Sequence, residues 1–383
     1  MGGDFFKSKE THKLKLLKIF LTGDNHIGLK FLNHIQHQFL SEIRVKIFKD
    51  MVEVANNKNC DLFVIAGDLF DRTDKIPEKY LNMLAERLGE FHGIILIIPG
   101  NHDYYNENVP IWRDFRRTCM IKGNILFLSD YRPYEIPMND ANKKVIVYPA
   151  GCHENFSSEN NLKWIKELNI IPDEAFKIGI AHGAVKDFSI DVEGRYFLMT
   201  EEELNNIPVD VWLMGHTHIP FRLGKIFNAG THVQTDVNNE AGGNYLIIEI
   251  EDGSGIKNIK ATRSATDSPR FYKFEINLTP GNFRDELFNF VKNIRSSSII
   301  ELIFNGSLTD EEYKLKDAII REGLNKFLEY SYNFDGVHRI ITSEIIKTEF
   351  PEVGFNAKFL NALLNDPYEA QMAYDLLKAL ENK

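Results

Sequence analysis

Histidine, aspartate and asparagine residues are concentrated in five short segments between residues 24 and 218 of this 383-residue chain. Their imidazole, carboxylate and amide groups are side chains that bind divalent cations such as manganese, iron and zinc. Each segment follows a short apolar run of the kind that forms a buried strand. The five segments are Asp24-Asn25-His26, Gly67-Asp68-Leu69-Phe70-Asp71, Gly100-Asn101-His102-Asp103, Ala181-His182-Gly183 and Gly215-His216-Thr217-His218.

These residue types predict a site for two divalent metal ions that hydrolyses a phosphate ester. Two cations about 3.5–4 Å apart can stabilise both the attacking and the leaving oxygen of a displacement at phosphorus. A carboxylate is needed between them, and Asp68 is the predicted bridge. The ligands predicted to complete the two sites are Asp24, His26 and His218 for one ion and Asn101, His182 and His216 for the other. We expect manganese, with iron or zinc as alternatives.

His102 is predicted to act on the substrate rather than on a metal ion, although it follows the predicted ligand Asn101 directly. Its imidazole would protonate the leaving oxygen or stabilise the transition state. Asp71, three residues after Asp68, is predicted to accept a hydrogen bond from His102 and to keep that ring protonated.

The elements that must position these residues are strands alternating with helices. Strands are predicted at 18–23, 61–67, 94–100, 177–181 and 211–215, and helical spacing of apolar residues predicts a helix over 39–55. Ligands of parallel sheets bind outside the carboxyl ends of the strands. From this pattern, a parallel sheet would bring all five segments to one edge.

The pattern changes after residue 218. Runs at 225–229, 244–251 and 256–262 predict antiparallel strands that complete the first domain, and 264–270 reads as a linker. A small α+β domain is predicted next, followed by two amphipathic helices within 354–383. The predicted order in the small domain is strand 271–278, helix 281–295, strand 298–304, helix 310–330 and strand 337–343.

Composition limits the class of protein. With 43% hydrophobic and 26% charged residues, the chain has the composition of a folded globular protein. No apolar run is long enough for a membrane span and no secretory leader is evident, so a cytoplasmic protein without membrane contact is expected. The three cysteines are expected to be reduced thiols. A formal charge of −10 does not by itself favour a nucleic-acid partner.

The five segments resemble the signature of calcineurin-like metallophosphoesterases over roughly residues 18–250. Within that family, the chain is most similar to SbcD-type DNA repair exonucleases and the related meiotic-recombination-eleven nucleases. The second segment, Gly67 to Asp71, is close to their form. A small α+β domain follows where those nucleases carry a DNA-capping domain, and the chain ends in paired amphipathic helices like their partner-docking segment.

The resemblance implies an α/β sandwich of two β-sheets flanked by helices. It divides the chain into an N-terminal tail (1–17), a nuclease domain (18–263), a DNA-capping-like domain (271–345) and docking helices (354–383). It implies a homodimeric, manganese-dependent DNA exo/endonuclease that acts with an SbcC-like coiled-coil ABC-type ATPase in double-strand-break repair. The metal ligands carry over onto the seven residues named above, and the catalytic histidine onto His102.

Two alternatives remain open. Asp71-Arg72 resembles the Asp-Arg pair of serine/threonine protein phosphatases, in which the arginine binds phosphate. Together with the acidic balance, this pair favours a phosphatase or phosphodiesterase acting on small-molecule or protein phosphoesters. The other alternative is a scaffold that clamps DNA or an ATPase and has only weak catalysis.

Overall fold

The computed structural model describes residues 15–29, 31–119, 123–140, 143–171, 173–189, 193–235, 237, 239, 241–253 and 256–381. The chain divides into two compact units, residues 1–268 and 269–383. Most of the predicted N-terminal tail lies outside the described residues. Residues 15–17 belong to the first strand rather than to a tail.

Strands and helices alternate along most of the first unit. Its strands are β1 (Lys15–Thr22), β2 (Leu62–Ala66), β3 (Ile94–Ile98), β4 (Ile125–Phe127), β5 (Tyr134–Ile136), β6 (Val145–Ala150), β7 (Phe176–His182), β8 (Val211–Gly215), β9 (Phe221–Leu223), β10 (Ile226–Asn228), β11 (Asn244–Gly253) and β12 (Ile256–Ala265). Its helices are α1 (His37–Asn57), α2 (Glu78–Leu88), α3 (Pro110–Cys119), α4 (Lys163–Lys166) and α5 (Glu201–Asn206).

The strands form two six-stranded sheets rather than one. The first has the order β12-β11-β1-β2-β3-β4, and the second has the order β5-β6-β7-β8-β10-β9. Strands β1 to β4 are mutually parallel, as are β6, β7, β8 and β10. The prediction of one common sheet edge was therefore wrong, whereas the two-sheet sandwich implied by the family resemblance is confirmed.

Successive side chains of a buried strand point to opposite faces of its sheet, so each strand contributes to two different cores. In β2, Leu62, Val64 and Ala66 contribute to the core between the two sheets. The intervening Phe63 and Ile65 pack on the other face, in the core that also contains residues of α1, α2 and α3. A third core covers the outer face of the second sheet with residues near α4 and α5. The order of layers is thus helix, sheet, sheet, helix.

Helix α5 begins with a reciprocal capping box. The Thr200 hydroxyl accepts from the main-chain N–H of Glu203 at 3.1 Å, and the Glu203 carboxylate accepts from the N–H of Thr200 at 2.9 Å. The same carboxylate forms an ion pair with Lys166 at 2.7 Å. Partial burial would raise the pKa of Glu203, but the bonds from Lys166, Thr200 and Asn160 outweigh it and lower that pKa to about 2.

Replacing this carboxylate tests its contribution to stability. Because its pKa is lower in the folded chain than the usual 4.5, its stabilisation is present above pH 4.5 and is lost as the pH falls toward 2. We expect Glu203→Gln to reduce the free energy of unfolding by about 1 kcal/mol at pH 7. Urea unfolding at pH 7 and pH 3 should show this difference shrinking at the lower pH. The neighbouring exposed variant Glu202→Gln serves as the control, and equal stability of the two variants at pH 7 would contradict the assignment.

The second unit contains a three-stranded parallel sheet of order β13-β14-β15. Its buried face packs against residues of α6 and α7. The unit consists of β13 (Arg270–Leu278), α6 (Phe283–Val291), β14 (Ser298–Leu308), α7 (Asp310–Leu324), β15 (Glu329–Arg339), α8 (Ser343–Glu349), α9 (Phe355–Leu363) and α10 (Pro367–Glu381).

The predicted helix 310–330 and strand 337–343 were wrong in their bounds. Helix α7 stops at Leu324, and β15 starts at Glu329. Helical spacing of apolar residues continues through Phe327, which hid the end of the helix. Tyr330 and Tyr332 instead pair with Ile300 and Leu302 of β14, and that long-range pairing determines the strand.

The last helices pack on a small core of their own within the second unit. Leu360 of α9 and Ala370 and Tyr374 of α10 are buried there, together with Ile346 of α8. No helix among the described residues is sufficiently long and apolar to cross a membrane.

Candidate metal centre

The motif residues lie at the carboxyl ends of five strands, contributed by both sheets. Strands β1, β2 and β3 lead to the segments that begin at Asp24, Gly67 and Gly100. Strand β7 ends at His182, and β8 leads to His216. The two sheets are joined directly here, because the main-chain N–H of His216 donates to Asp24 Oδ1 at 2.9 Å.

The ligand-bearing loops adopt a backbone conformation that is unfavourable for non-glycine residues. Asp24, His26, Asp68 and His216 all have positive φ angles, of 50°, 44°, 50° and 96°. Such a residue costs on the order of 1–3 kcal/mol, and strain of this kind concentrates at functional sites. Main-chain hydrogen bonds hold two of these loops together, from Asp24 N–H to Gly67 O at 3.1 Å and from His26 N–H to Asp68 O at 2.9 Å.

Two glycines allow the loops to approach one another. Gly67 has φ +87°, and a Cβ placed there would lie 2.3 Å from Nδ1 of His182. A Cβ on Gly100 would lie 2.1 Å from Oδ1 of Asp68. Neither atom can move away cheaply because both residues are buried. Glycine is therefore required at both positions for the ligands to converge.

The structure brings together all seven side chains predicted to bind metal. Nε2 of His26 lies 3.1 Å from Nε2 of His218, and one atom from each of Asp24, His26 and His218 lies within 4.8 Å of the others. In the second set, Asn101 Oδ1 lies 3.1 Å from both His182 Nε2 and His216 Nδ1.

Asp68 occupies the position between these two sets. Its Oδ2 lies 3.4 Å from Nε2 of His182 and 3.8 Å from Nε2 of His26. The side chain is buried. A single carboxylate therefore faces both ligand sets, as a bridging ligand must.

The donor set fits two divalent metal ions. Two ligand atoms at right angles around an ion about 2.1 Å away lie about 3 Å apart, which matches the 3.1 Å separations within each set. The donors are carboxylate, amide and imidazole, with no thiolate among them, a combination suited to manganese, iron or zinc. When bound, such ions supply Lewis-acid polarisation of a phosphoester and activation of water.

Charge compensation keeps the central carboxylate ionised. Burial alone would raise the pKa of Asp68, but the nearby imidazoles of His182, His26 and His102 lower that pKa well below its usual range. Burial would likewise lower the pKa of His182, whereas Asp68 and Asp24 raise that pKa to about 9. Asp68 is therefore available as an anionic ligand at neutral pH.

A hydrogen bond to a main-chain carbonyl outside the ligand set orients the imidazole of His182. Its Nδ1–H donates to the carbonyl of Ala66 at 2.9 Å. With Nδ1 bound to this carbonyl, Nε2 is the atom that faces Asn101 and Asp68. The orientation of a ligand from the second sheet thus depends on the main chain of the first.

His102 is exposed beside this cluster. Its main-chain N–H donates to Asp68 Oδ1 at 2.8 Å. Its ring nitrogen Nδ1 lies 3.2 Å from the main-chain carbonyl of Asp71 and donates to it, which leaves Nε2 for a substrate. The ring of His102 is therefore oriented. One of its nitrogens lies within 4.8 Å of ligand atoms of His26 and Asp71, so His102 borders the first ligand set although it is not one of the seven predicted ligands.

The role predicted for Asp71 is changed by this contact. The acceptor is the neutral carbonyl, whereas the carboxylate of Asp71 pairs with Arg72 at 3.0 Å and lies 3.8 Å from Nδ1 of His26. The main chain of Asp71 thus orients His102, but its carboxylate does not make the predicted bond that would keep the ring protonated.

Sequence reasoning missed three residues that support the site. Asp103 is buried and accepts from the N–H groups of Gly100 at 2.7 Å and Phe70 at 2.9 Å, which links the second and third segments. Asn155 accepts from Nδ2 of Asn101 at 3.5 Å. Arg44, in α1, is fully buried. Neither Asn155 nor Arg44 belongs to a motif, so the local sequence carries no signal for either.

The guanidinium of Arg44 donates hydrogen bonds to the main chain of the first ligand loop. Its Nε donates to the carbonyl of Asn25 at 2.8 Å, and its Nη1 donates to that of Val233 at 3.3 Å. Nη2 lies 3.5 Å from the carbonyl of Asp24 and 3.4 Å from the hydroxyl of Thr231. Burial lowers the pKa of the guanidinium to about 10, so the group remains charged at neutral pH.

Arg44→Met tests the contribution of these hydrogen bonds without altering any predicted metal ligand. Removing the guanidinium takes away the side-chain donor to the carbonyl of Asn25, whereas the carbonyls of Asp24 and Val233 keep the hydroxyl of Thr231. Because the buried guanidinium also makes the other bonds described above, we expect a loss of about 3 kcal/mol in the free energy of unfolding. Urea unfolding of the metal-free chain measures that loss, and calorimetric titration with Mn²⁺ should show weaker binding. Arg113→Met, at an exposed position of α3, is the matched control. Stability equal to that of the control would show that the loop does not depend on Arg44.

Comparison with known proteins agrees with this geometry. The sequence model of the calcineurin-like phosphoesterase family matches residues 17–220, more than half of the chain. The uncharacterized metallophosphoesterase YhaO of Bacillus subtilis (strain 168) is 24% identical over 205 residues, covering 51% of this chain and 47% of that protein. The chain therefore spans about half the length of this curated relative.

Solved structures with a similar fold include two from other organisms. Crystal structures of TT1561 of Thermus thermophilus and of a dimetal phosphatase from Danio rerio have TM-scores of 0.40 and 0.38 at 13% and 12% identity. They cover 61% and 64% of this chain, and 94% and 98% of their own.

The family match spans the strands that carry all five ligand loops, and the structure brings those loops together around one bridging carboxylate. The chain belongs to the calcineurin-like phosphoesterase family.

Proposed function

We propose that this chain is a DNA exo/endonuclease that hydrolyses phosphodiester bonds with two divalent ions, most favourably manganese. In this proposal it works in the cytoplasm as a homodimer, within an SbcCD-like complex for double-strand-break repair. The observation that carries the proposal is the exposed imidazole of His102, which is oriented by the carbonyl of Asp71 and borders the predicted ligand His26.

The chemistry of a phosphodiester explains why such an imidazole matters. The leaving group of DNA hydrolysis is an alkoxide, which departs readily only if it receives a proton. With Nδ1 bound to the carbonyl of Asp71, a protonated His102 presents its Nε2–H to the departing oxygen. Asp68 accepts from the main chain of His102 and so keeps this donor close to the phosphate site.

The order of the two units also supports the proposal. An α+β unit follows the phosphoesterase region, at the place where SbcD-type nucleases carry their DNA-capping domain. Its final helix has apolar side chains on opposite sides, since Ala370 and Tyr374 are buried whereas Leu376 and Leu380 are 61% and 67% exposed. We assign the exposed side to the coiled coil of an SbcC-like ATPase.

Aspartate substitution of the exposed side tests that assignment. Leu376→Asp with Leu380→Asp should abolish co-purification with the ATPase because an apolar interface then contains two desolvated charges. DNA cleavage by the isolated chain should be unchanged. Leu315→Asp, at an exposed leucine of α7, is the control. Unimpaired association of the double variant would place the ATPase interface elsewhere.

The decisive measurement for the proposed function is cleavage of 3′- and 5′-labelled duplex DNA by the purified full chain with Mn²⁺. A phosphomonoester is assayed in parallel, with EDTA as the negative control. Metal-dependent DNA cleavage that disappears in Asp68→Asn is the expected result. Intact DNA in the presence of bound metal would overturn the nuclease proposal.

One contact favours a second candidate, a phosphatase or phosphodiesterase for small-molecule or protein phosphoesters. The guanidinium of Arg72 pairs with Asp71 at 3.0 Å beside the ligand sets and remains 37% exposed. A positive group in this position can bind the oxygens of a terminal phosphate. Phosphomonoester turnover that far exceeds DNA cleavage in the same assay would favour this candidate.

A further inference from the structure

A row of aromatic rings leads from the metal centre to solvent. The ring of Tyr196 lies 5.1 Å from that of His216, with an angle of 33° between their planes. The ring of Phe156 lies 5.5 Å from that of Tyr196 at 55°. Phe156 ends the row and is 51% exposed. A large apolar side chain is thus presented to solvent beside a polar, buried ligand cluster.

Main-chain hydrogen bonds fix the position of this row. The N–H of Ser157 donates to the carbonyl of Arg195 at 2.8 Å, and the N–H of Phe197 donates to the carbonyl of Ser157 at 3.0 Å. These bonds tie Ser157, which follows Phe156, to the residues on either side of Tyr196. The residue preceding Phe156 is Asn155, which contacts the ligand Asn101. The row is therefore connected to the metal centre at both His216 and Asn101.

The exposure of Phe156 argues against a purely structural role. A ring that only supported Tyr196 would be buried, as the neighbouring Phe197 is at 1% exposure. Because the phosphate of a substrate must reach the ligand sets, the organic part of that substrate has to extend outward past the rim. A nucleobase has a flat apolar face that stacks on aromatic side chains. Phe156 offers such a face at this rim.

We propose that Phe156, supported by Tyr196, forms a subsite that stacks the base of a nucleotide whose phosphate lies at the metal centre. This inference rests on the proposed function for the choice of a nucleotide as the substrate class. The subsite selects for a base next to the scissile phosphate and does not take part in proton transfer.

Direct binding of two ligands tests the subsite. Deoxyadenosine 5′-monophosphate and deoxyribose 5-phosphate carry the same phosphate and sugar, and only the first has a base. Calorimetric titration of the Mn²⁺-loaded full chain should show that the nucleotide binds about 10-fold more tightly, as expected for one base stacked on an aromatic ring. Phe156→Ala should remove this preference, whereas Phe156→Tyr should retain it.

Two further variants separate stacking from folding and from apolar contact. Phe156→Leu keeps an apolar side chain without an aromatic face and should also lose the preference. Phe290→Ala removes a phenylalanine of the second unit that is 38% exposed and should behave like the unaltered chain. Equal binding of the two ligands by the unaltered chain, or a preference that persists in Phe156→Ala and Phe156→Leu, would overturn the inference.

Failure of the subsite and failure of the nuclease proposal give different results. If DNA is cleaved but Phe156→Ala still prefers the nucleotide, the nuclease proposal stands and the subsite falls. If DNA stays intact while the preference depends on Phe156, the subsite stands and the substrate is a small nucleotide ester.

Discussion

Asp68→Asn will weaken the binding of both metal ions together. Asp68 faces both ligand sets, at 3.4 Å from His182 and 3.8 Å from His26, so neither ion keeps a complete set when the carboxylate becomes an amide. Loss of a partner outside the ligand set commonly costs 10- to 100-fold in metal affinity, so loss of the shared ligand should cost at least about 100-fold. The rate of phosphoester hydrolysis should fall as the fraction of metal-loaded chains falls.

Titration with Mn²⁺ and elemental analysis after desalting measure this effect as affinity and stoichiometry. Asp74→Asn is the matched control because Asp74 is exposed on the loop that follows the same segment. The result that would refute a shared carboxylate is retention of one ion at unchanged affinity while the other is lost.

His102→Ala will have the opposite signature, with both ions retained and turnover reduced at least about 100-fold. The bond to Asp68 comes from the main-chain N–H of His102, so the substitution leaves it in place. The ring contributes only Nε2 toward the substrate, since its Nδ1 is bound to the carbonyl of Asp71.

The nature of the leaving group distinguishes the two roles open to His102. A 4-nitrophenolate leaves without protonation, whereas the alkoxide of DNA does not. If the imidazole is the proton donor, His102→Ala should impair DNA cleavage strongly and hydrolysis of bis(4-nitrophenyl) phosphate much less. Equal losses on both substrates would identify transition-state stabilisation instead. His92→Ala is the control, since His92 is exposed before β3, at the opposite end of that strand from the site.

The local sequence predicted the ligand loops well because the signals for them are local. An apolar run followed at once by Asp, His or Asn marks both a buried strand and the chemistry at its end, and these signals located the loops after β1, β2, β3, β7 and β8. The rule that parallel strands present their carboxyl ends together accounts for the convergence of the loops within each sheet, but not for the meeting of loops from the two sheets.

The division into two sheets is not visible in such signals. A buried strand of the first sheet and one of the second show the same apolar run, so periodicity alone cannot assign them. The pairing of β1 with β11 joins Leu21 to Leu246, and no pattern within a short window reports a contact at that separation. The family resemblance supplied this part of the fold.

The local sequence also did not predict the hydrogen bonds that position the ligand loops. Arg44 lies on the buried face of α1, where spacing predicts an apolar residue, and only the tertiary structure shows that its charge is matched by carbonyl groups of the ligand loop. Asp71 was identified by its carboxylate, yet it contacts His102 through its main-chain carbonyl oxygen, which every residue possesses.

The distribution of ligands along the chain also constrains when the centre can form in a cell. His26 and His218 face each other at 3.1 Å but are separated by 192 positions in the sequence. At about 5–20 residues per second, a ribosome needs roughly 10–40 s to extend the chain from one to the other. Asp24 lacks both of its neighbouring imidazoles, His182 and His218, for most of that interval, and Asp68 lacks His182. The charge balance of the first sheet's acidic loops is therefore completed only when the second sheet has been synthesised.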